Sequence, residues 1–494
     1  MKTKLILFYL LFCFISSHAQ INSLVQQGLD KAYNFEFDEA EKIYSRVIDR
    51  YPNSPHGFYR IAQIHFWIYL GSRDQGEYEI FKRFAELTEE RLNKQLKANP
   101  KDYRLINMAG NLASFTAMAE AINNSSIDVF WSSKKAVGYF EEALVINPRF
   151  YDAYLGLGLY DYAMSFVPEF LKWAVNLTGL SSDKQRGLRY IKTAHIKGSS
   201  EKTEAAFHLA KIYTEYVAEY DSAITHLQSI TSRYPKNSLF LYQFGVTLAK
   251  DLQFDRAVNY FNRVIRLNNK KLPQLVALSF FRKGEIFFKR NQFKAAIAQF
   301  NQFLDTSREI DLTAAASFYV AISEKMLGND EEYDRNLLLA QGGNQDLFED
   351  AYGKQKSEFY SKNGISSDEL KLIRMKNYLD AGKYRTVIDS LEKDADEFKS
   401  KSQKALALGY LSEASLKLKK YKNALDYAEK VIQLDPSTEK WIMVLAELNI
   451  AKAYFFTGDK ETAKEYLKNA ENRNDFEYKD YLASRIEWLK RRIR

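Results

Sequence analysis

Two stretches of the sequence decide its fold: FHLAKIYTEYVAEYDSAITHLQSITSRYP at residues 207–235 and LYQFGVTLAKDLQFDRAVNYFNRVIRLNN at residues 241–269. In each stretch a helix-like segment is followed by a short turn and then by a small residue, Ala223 or Ala257. A large apolar residue follows four positions later, and another follows three positions after that. Because residues at these spacings share one helical face, each stretch predicts two packed helices that approach closely at the alanine.

The same order of residues recurs along the chain, and Ala223 and Ala257 are thirty-four residues apart. Further copies contain Gly28, Ala40, Tyr44, Val47 and Pro52; Ala136, Phe140, Ala143 and Pro148; Gly284, Ala296, Phe300 and Phe303; Ala424, Ala428, Val431 and Pro436; and Ala451, Tyr454, Ala463, Leu467 and Ala470. The prolines end the second helix because proline lacks the N–H that would continue it. The repetition predicts an all-α array of about nine or ten helix-turn-helix pairs.

The composition agrees with a folded helical chain. The 494 residues include only 8 Pro and 21 Gly, and 46% of them are hydrophobic, so collagen-like, turn-rich all-β and disordered chains are excluded. The formal net charge is +8, but basic and acidic residues are interspersed along most of the chain. Because a phosphate-binding surface needs clustered Lys and Arg, no nucleic-acid partner is expected.

The first nineteen residues predict export. Lys2 and Lys4 precede an uninterrupted apolar run of eleven residues, 5–15, and small residues lead to Ala19. This is the pattern of a cleavable signal peptide, with cleavage expected after Ala19. Cys13, the single cysteine, lies within the signal, so the mature chain would contain none. We expect a periplasmic protein of a Gram-negative bacterium, in solution or peripheral to the outer membrane.

The repeated residues resemble the tetratricopeptide repeat, in which a Gly, an Ala, an aromatic residue and a Pro follow one another in a helix pair. The resemblance covers residues 24–494 and implies an extended concave face, lined by the first helix of each pair, that binds a protein or peptide. On this resemblance the candidate partner-binding residues are Tyr162, His208, Tyr216, Tyr242, Phe281, Glu285, Phe288 and Glu413. The groove is expected to be aromatic and partly acidic. Each aromatic residue has a second interpretation as part of the core between repeats.

Departures from the regular array predict the domain organisation. We expect a signal peptide at 1–19, an N-terminal repeat solenoid at 20–340, a connector at 341–368, and a C-terminal repeat segment with a capping helix at 369–494. An insertion is predicted near 163–182. Around it, the order Gly156, Gly158, Ser165, Pro168, Lys172, Gly179, Asp183 and Gly187 is similar to the inclusion body clearance or tetratricopeptide repeat protein 39 type family, over residues 80–200.

Catalytic and metal-binding motifs are absent from the sequence. It contains no His-Glu-x-x-His, no phosphate-binding Gly-rich loop ending in Gly-Lys-Ser/Thr, and no Gly-x-Ser-x-Gly, and the mature chain would offer no cysteine nucleophile. We therefore assign no catalytic, cofactor-binding or metal-binding residue. The sequence favours a non-enzymatic scaffold.

Two alternatives to a peptide-binding scaffold remain open from the sequence. Phe166, Phe170 and Trp173 lie three or four residues apart in the inserted segment 166–180, so this segment either covers the core or lies on a membrane. The second case implies a membrane-associated envelope assembly or secretion subunit. In the other alternative, the groove encloses a small apolar ligand.

Overall fold

The computed structural model of the chain describes residues 20–122, 126–165, 183–307, 311–344, 346–473, 476 and 479–493. Across these ranges the chain is helical and contains no strand, which confirms the all-α prediction. The predicted signal peptide and the residues Phe166, Phe170 and Trp173 lie outside the described residues.

Most helices follow one another as helix-turn-helix pairs along the chain, as the tetratricopeptide pattern predicts. The helices are 20–33 and Phe37–Arg50; Pro55–Ser72 and Gln75–Ala98; Tyr103–Ile122 and Ser126–Ile146; Ala153–Met164 and Lys184–Lys197; Lys202–Ile212, which continues as the π-helix Tyr213–Val217, and Tyr220–Arg233; Ser238–Lys250 and Phe254–Leu267; Pro273–Lys289 and Phe293–Thr306; Thr313–Leu327 and Asp330–Leu339; Phe348–Asn363; Ser367–Asp380 and Tyr384–Leu391; Lys401–Lys417 and Tyr421–Leu434; Trp441–Thr457 and Lys460–Asn472; and Lys479–Ile493.

A glycine on the first helix and an aromatic ring on the second fix how the helices of a pair meet. Three pairs repeat this contact at the same sequence spacing of sixteen residues. A Cβ atom added to the glycine would lie 2.3 Å from the ring in Gly28–Tyr44, 2.6 Å in Gly245–Phe261 and 2.7 Å in Gly284–Phe300. The three rings are fully buried. Only a residue without a side chain allows the ring to lie against the backbone of the neighbouring helix.

The chain divides into two compact units at a place that the sequence did not predict. The first unit consists of the residues up to 210 together with 225–241 and 269–273, and the second of 211–224, 242–268 and the residues from 274 onward. The expected joint at 341–368 therefore lies inside the second unit.

A buried carboxylate attaches part of the segment 341–368 to the preceding repeat. Asp350, at the start of the helix Phe348–Asn363, is fully buried. Its oxygens accept hydrogen bonds from the backbone N–H groups of Leu312 and Ala315, both at 2.9 Å, and of Asn344 at 3.1 Å. Because Leu312 and Ala315 begin the helix Thr313–Leu327, Asp350 serves as its N-terminal cap and fixes the segment to the preceding repeat.

Candidate functional site

The structure divides the eight predicted partner-binding residues into two groups. Four retain partial solvent access: His208 in the first unit, and Tyr216, Tyr242 and Glu285 in the second. The other four are buried: Tyr162, Phe281, Phe288 and Glu413.

Phe281 and Phe288 belong to the core of the second unit, so the prediction that they line the groove is wrong. Phe281 is 0% exposed and its ring centroid lies 5.1 Å from that of Phe303. Phe288 packs against Phe293 at 5.8 Å. Both residues share a helical face with Gly284, three residues after Phe281 and four before Phe288, and this face contacts the second helix of the pair.

Tyr162 and Glu413 are buried for different reasons. Tyr162, 5% exposed, lies on the helix Ala153–Met164, and the ammonium of Lys184 lies 5.7 Å from its ring centroid. It therefore does not line an open groove, contrary to the prediction. Glu413 is 6% exposed, yet it forms an ion pair with Arg485, at 2.8 Å, that belongs to the polar surface described below.

A first polar cluster of the second unit surrounds Glu215, which lies on the π-helix Tyr213–Val217. Its carboxylate forms an ion pair with Lys250 and accepts a hydrogen bond of 3.4 Å from the amide of Gln243. Burial alone would raise the pKa of Glu215, but the charges of Lys250 and Arg282 outweigh burial and lower it. π-Helical turns are frequent at functional sites.

Arg282 connects two of the predicted residues. Its guanidinium donates a hydrogen bond of 2.7 Å to Glu285 and one of 3.4 Å to the hydroxyl of Tyr242. The ring of Tyr242 rests against Phe261, with centroids 5.8 Å apart. Burial would raise the pKa of Glu285, but the charge of Arg282 outweighs it and lowers the pKa. The carboxylate is therefore charged and held in one orientation.

A second polar cluster is formed around Glu413 by cations from neighbouring helices. Glu413 forms an ion pair with Arg485 of the last helix, and the charges of Lys417, Lys376 and Lys452 also act on its carboxylate. Burial would raise the pKa of Glu413, and these cations together lower it. These cations therefore favour the charged form of the Glu413 carboxylate.

The last helix brings the two clusters of the second unit near each other. The last helix, Lys479–Ile493, contacts the π-helix Tyr213–Val217. Burial raises the pKa of Tyr220, and the charges of Arg485 in the second cluster and Glu215 in the first cluster both act on this phenol. On the other side, Glu285 and Asp380 both act on the buried phenol of Tyr319.

We name these charged residues the inner face of the second unit. It comprises seven cationic residues, Lys250, Arg282, Lys289, Lys376, Lys417, Lys452 and Arg485, and four anionic residues, Glu215, Glu285, Asp380 and Glu413. Except for Glu215 and Arg485, all lie on the first helix of a pair, where the tetratricopeptide pattern places the concave surface. The inner face therefore contains carboxylates, but its cationic residues outnumber them.

Sequence reasoning missed the cations that dominate the inner face, namely Arg282, Lys452 and Arg485. Arg485 and Glu413 are seventy-two residues apart in the sequence. This separation is longer than one repeat, so the pattern of a single repeat does not predict their contact. A signal was available for Arg282, because it lies three residues before Glu285 on a helix that was already assigned to the groove.

The first unit contains a separate buried polar network. Glu204 accepts hydrogen bonds of 3.2 Å from both the hydroxyl of Tyr33 and the amide of Gln63, and Gln63 in turn accepts one of 2.6 Å from Arg60. Burial, together with the nearby charge of Glu204, raises the pKa of Glu201 well above its ordinary value. In the ranges that the structure describes, no group of three or more His, Cys, Asp or Glu side chains is placed to hold a metal ion.

We predict that a buried histidine makes the stability of the first unit depend on pH. His65, 5% exposed, lies between Glu77, with Nδ1 to Oε2 at 2.5 Å, and Glu41, with Nε2 to Oε1 at 3.8 Å. Burial would lower the pKa of His65, but the two carboxylates outweigh it and raise the pKa above 6.5. Because the folded state then binds the proton more tightly, this stabilisation is complete below pH 6.5 and is lost as the pH rises through the folded pKa.

Denaturant melts between pH 6 and pH 9 test this prediction on the protein and on His65→Gln. The free energy of unfolding should fall more steeply with rising pH in the wild type than in the variant. Identical slopes would show that His65 does not hold its proton in the folded state.

Four stretches of the chain match tetratricopeptide families. Residues 150–344 match the family described as Iml2/Tetratricopeptide repeat protein 39. Residues 23–54, and residues 407–438 and 448–475, match two families that are each described as tetratricopeptide repeat. The resemblance inferred from the sequence is confirmed. The part that matches the Iml2 family begins and ends later than the predicted 80–200.

Matches among solved structures include the apo form of the quorum sensor NprR from B. thuringiensis, which is 12% identical over 84% of this chain and 99% of that chain, with a TM-score of 0.33. The P58(IPK) TPR domain is 16% identical over 76% and 98%, with a TM-score of 0.21. The APC/C hetero-tetramer Cut9-Hcn1 is 13% identical over 96% and 90%, with a TM-score of 0.25. Comparison with curated protein sequences gave no match.

Proposed function

We propose that this chain, which is a tetratricopeptide repeat protein, is an exported scaffold without catalytic activity that binds a protein or peptide on the inner face of its second unit. The observation that carries the proposal is that this face combines charged groups held in fixed positions with partial solvent access. Side-chain exposure is 28% for Arg282, 16% for Glu285 and 27% for Arg485.

Such a surface suits recognition for a physical reason. Charged side chains enclosed by protein cost free energy unless ion pairs and hydrogen bonds compensate them. Arg282 and Arg485 meet this condition through Glu285 and Glu413. Because their orientations are already fixed, a partner that uses them loses little conformational entropy on binding.

The cellular location is also part of the proposal. Residues 1–19 carry the charged start, the apolar run and the small residues of a signal peptide, so we place the mature chain, beginning at Gln20, in the periplasm of a Gram-negative bacterium. The rival hypothesis is a membrane-associated assembly or secretion subunit that acts through segment 166–180. Among the described helices, none is both long and apolar enough to cross a membrane.

The test of the binding surface is partner capture with Tyr242→Ala. Removing this half-buried ring takes away an interfacial aromatic group and the hydrogen-bond partner of Arg282. Truncating such an anchor costs about 2 kcal/mol, roughly thirtyfold in affinity. The measurement is quantitative capture of partners from envelope extract by the purified protein and the variant, identified by mass spectrometry.

The matched control is Lys294→Ala, an exposed residue on the second helix Phe293–Thr306. This variant should capture partners as the wild type does. Circular dichroism of all samples separates lost binding from lost folding. A folded Tyr242→Ala protein with wild-type capture would refute the inner-face proposal.

The location is tested by fractionation and intact mass. A soluble envelope protein whose intact mass matches a chain that begins at Gln20 supports the exported scaffold. Recovery with carbonate-washed membranes supports the rival, and retention of residues 1–19 contradicts cleavage.

A further inference from the structure

The buried polar network of the first unit holds two opposite charges that a neutral amide bridges. Arg60 and Gln63 lie on the helix Pro55–Ser72, and Glu204 lies on the helix Lys202–Ile212. The amide of Gln63 accepts a hydrogen bond of 2.6 Å from Nη1 of Arg60 and donates one of 3.2 Å to Oε1 of Glu204. These two charged atoms are therefore no more than about 8 Å apart.

Neither charge has an oppositely charged partner among the residues that the structure describes. Arg60 donates a hydrogen bond to the neutral amide of Gln63 and forms no ion pair. Glu204 accepts hydrogen bonds from Tyr33 and Gln63, which are neutral as well. Enclosed charges are normally paired. Both charged side chains keep partial solvent access, so a small molecule from solution can reach them.

A buried hydroxyl group near Arg60 also lacks a partner. Tyr44 is 0% exposed, and within the described part of the chain its hydroxyl forms no hydrogen bond. The charge of Arg60 acts on this phenol. A buried hydroxyl without a partner costs free energy, and a polar ligand group beside Arg60 would supply one.

We propose that the group formed by Tyr44, Arg60, Gln63, Glu201 and Glu204, which we name the dipolar site, binds a free α-amino acid. The ligand carboxylate accepts hydrogen bonds from the guanidinium of Arg60, and the ligand ammonium donates to Glu204. An α-amino acid with a charge-assisted hydrogen bond of about 2.8 Å at each end spans a distance similar to that between these charges. This inference goes beyond the proposed function, because the dipolar site belongs to the first unit and the inner face to the second.

The acid pair Glu201 and Glu204 adds a second expected effect of binding. Burial and the charge of Glu204 raise the pKa of Glu201 well above its ordinary value, and the charge of Asp152 acts in the same direction. Burial also raises the pKa of Glu204, against the charge of Arg60 and the hydrogen bond from Tyr33. A bound ammonium would lower both pKa values, because an opposite charge favours the ionised carboxylate. Binding should therefore release a proton.

The first experiment measures the melting temperature of the purified protein with each of the common L-amino acids at millimolar concentration. We expect at least one of them to raise it, because a ligand that binds the folded state stabilises that state. Titration calorimetry then compares this amino acid with its analogue without the amino group and its analogue without the carboxylate. Each analogue should bind at least about tenfold more weakly, because it leaves one charge of the site unpaired.

Two variants assign the two charges of the ligand. Arg60→Gln should abolish the preference over the analogue without the carboxylate, and Glu204→Gln should abolish the preference over the analogue without the amino group. Each preference is a ratio of affinities measured on one sample, so partial loss of folded protein does not produce the result. Calorimetry in phosphate and in Tris measures the released proton, because these buffers differ in ionisation enthalpy.

The matched controls are Arg83→Gln and Glu86→Gln, which make the same charge changes at exposed positions on the helix Gln75–Ala98. Both should keep the two preferences and an affinity within about twofold of the wild type. The proposal is overturned if no amino acid stabilises the protein, if either analogue binds as tightly as the amino acid, or if the controls lose the same preferences. Binding without proton release would also overturn it, because the ammonium would then not contact the acid pair.

Discussion

Replacing Asp350 by alanine is expected to lower the free energy of unfolding of the second unit by about 3–5 kcal/mol. The fully buried carboxylate accepts hydrogen bonds from Leu312, Ala315 and Asn344. Each of these backbone donors loses its acceptor in the variant, and a buried unsatisfied donor costs about 1–3 kcal/mol. Urea melts followed by circular dichroism measure the loss.

Two further variants make the Asp350 result specific. Asp346→Ala, at an exposed position four residues earlier, should cost less than about 0.5 kcal/mol. Asp350→Asn keeps one acceptor oxygen in place and should lie between alanine and the wild type. Equal stability of Asp350→Ala and Asp346→Ala would mean that the three hydrogen bonds do not hold the segment.

The second large effect is expected for Gly284→Ala, which should cost about 1–3 kcal/mol through overpacking. The added Cβ would lie 2.7 Å from the ring of Phe300. That ring is fully buried and stacks on Tyr319, with centroids 5.2 Å apart, so it cannot move aside without displacing another ring. Denaturant melts of the variant and the wild type give the difference.

Gly138→Ala provides the opposite case. Gly138 lies within the helix Ser126–Ile146, and no atom lies within 4 Å of its added Cβ. Alanine should stabilise this helix by about 0.5–1 kcal/mol, because it restricts the unfolded chain and has the higher helix propensity. Similar effects of the two substitutions would show that the glycine-to-ring contact is not the cause.

The fold was predictable because each repeat contains the residues that determine how its own two helices pack. Gly284 and Phe300 lie sixteen residues apart, and so do Gly245 and Phe261, so the same local contact is encoded several times. Agreement among copies distinguishes a repeat from chance spacing. The packing of residues 341–368 onto the preceding repeat was not predictable in this way, because it depends on single interactions such as those of Asp350.

The binding surface was less predictable than the fold. Tyr242 and Phe281 each lie three residues before the glycine of their repeat, and both were assigned to the groove. Phe281 is enclosed by the rings of its own pair, whereas the hydroxyl of Tyr242 reaches Arg282 of the next repeat. A sequence read one repeat at a time does not show which of two equivalent aromatic residues has a polar neighbour across the array.

The contact between the last helix and the π-helix Tyr213–Val217 makes the second unit different from an open repeat array. In an open repeat array the terminal repeat has only one neighbour, so it unfolds before the others. Here the last helix packs both on the preceding repeat and on the π-helix, so its local unfolding breaks two interfaces at once. Local unfolding of this helix therefore involves helices from both ends of the second unit. Folding of the second unit also depends on contacts between residues that are distant in sequence, and such contacts slow folding.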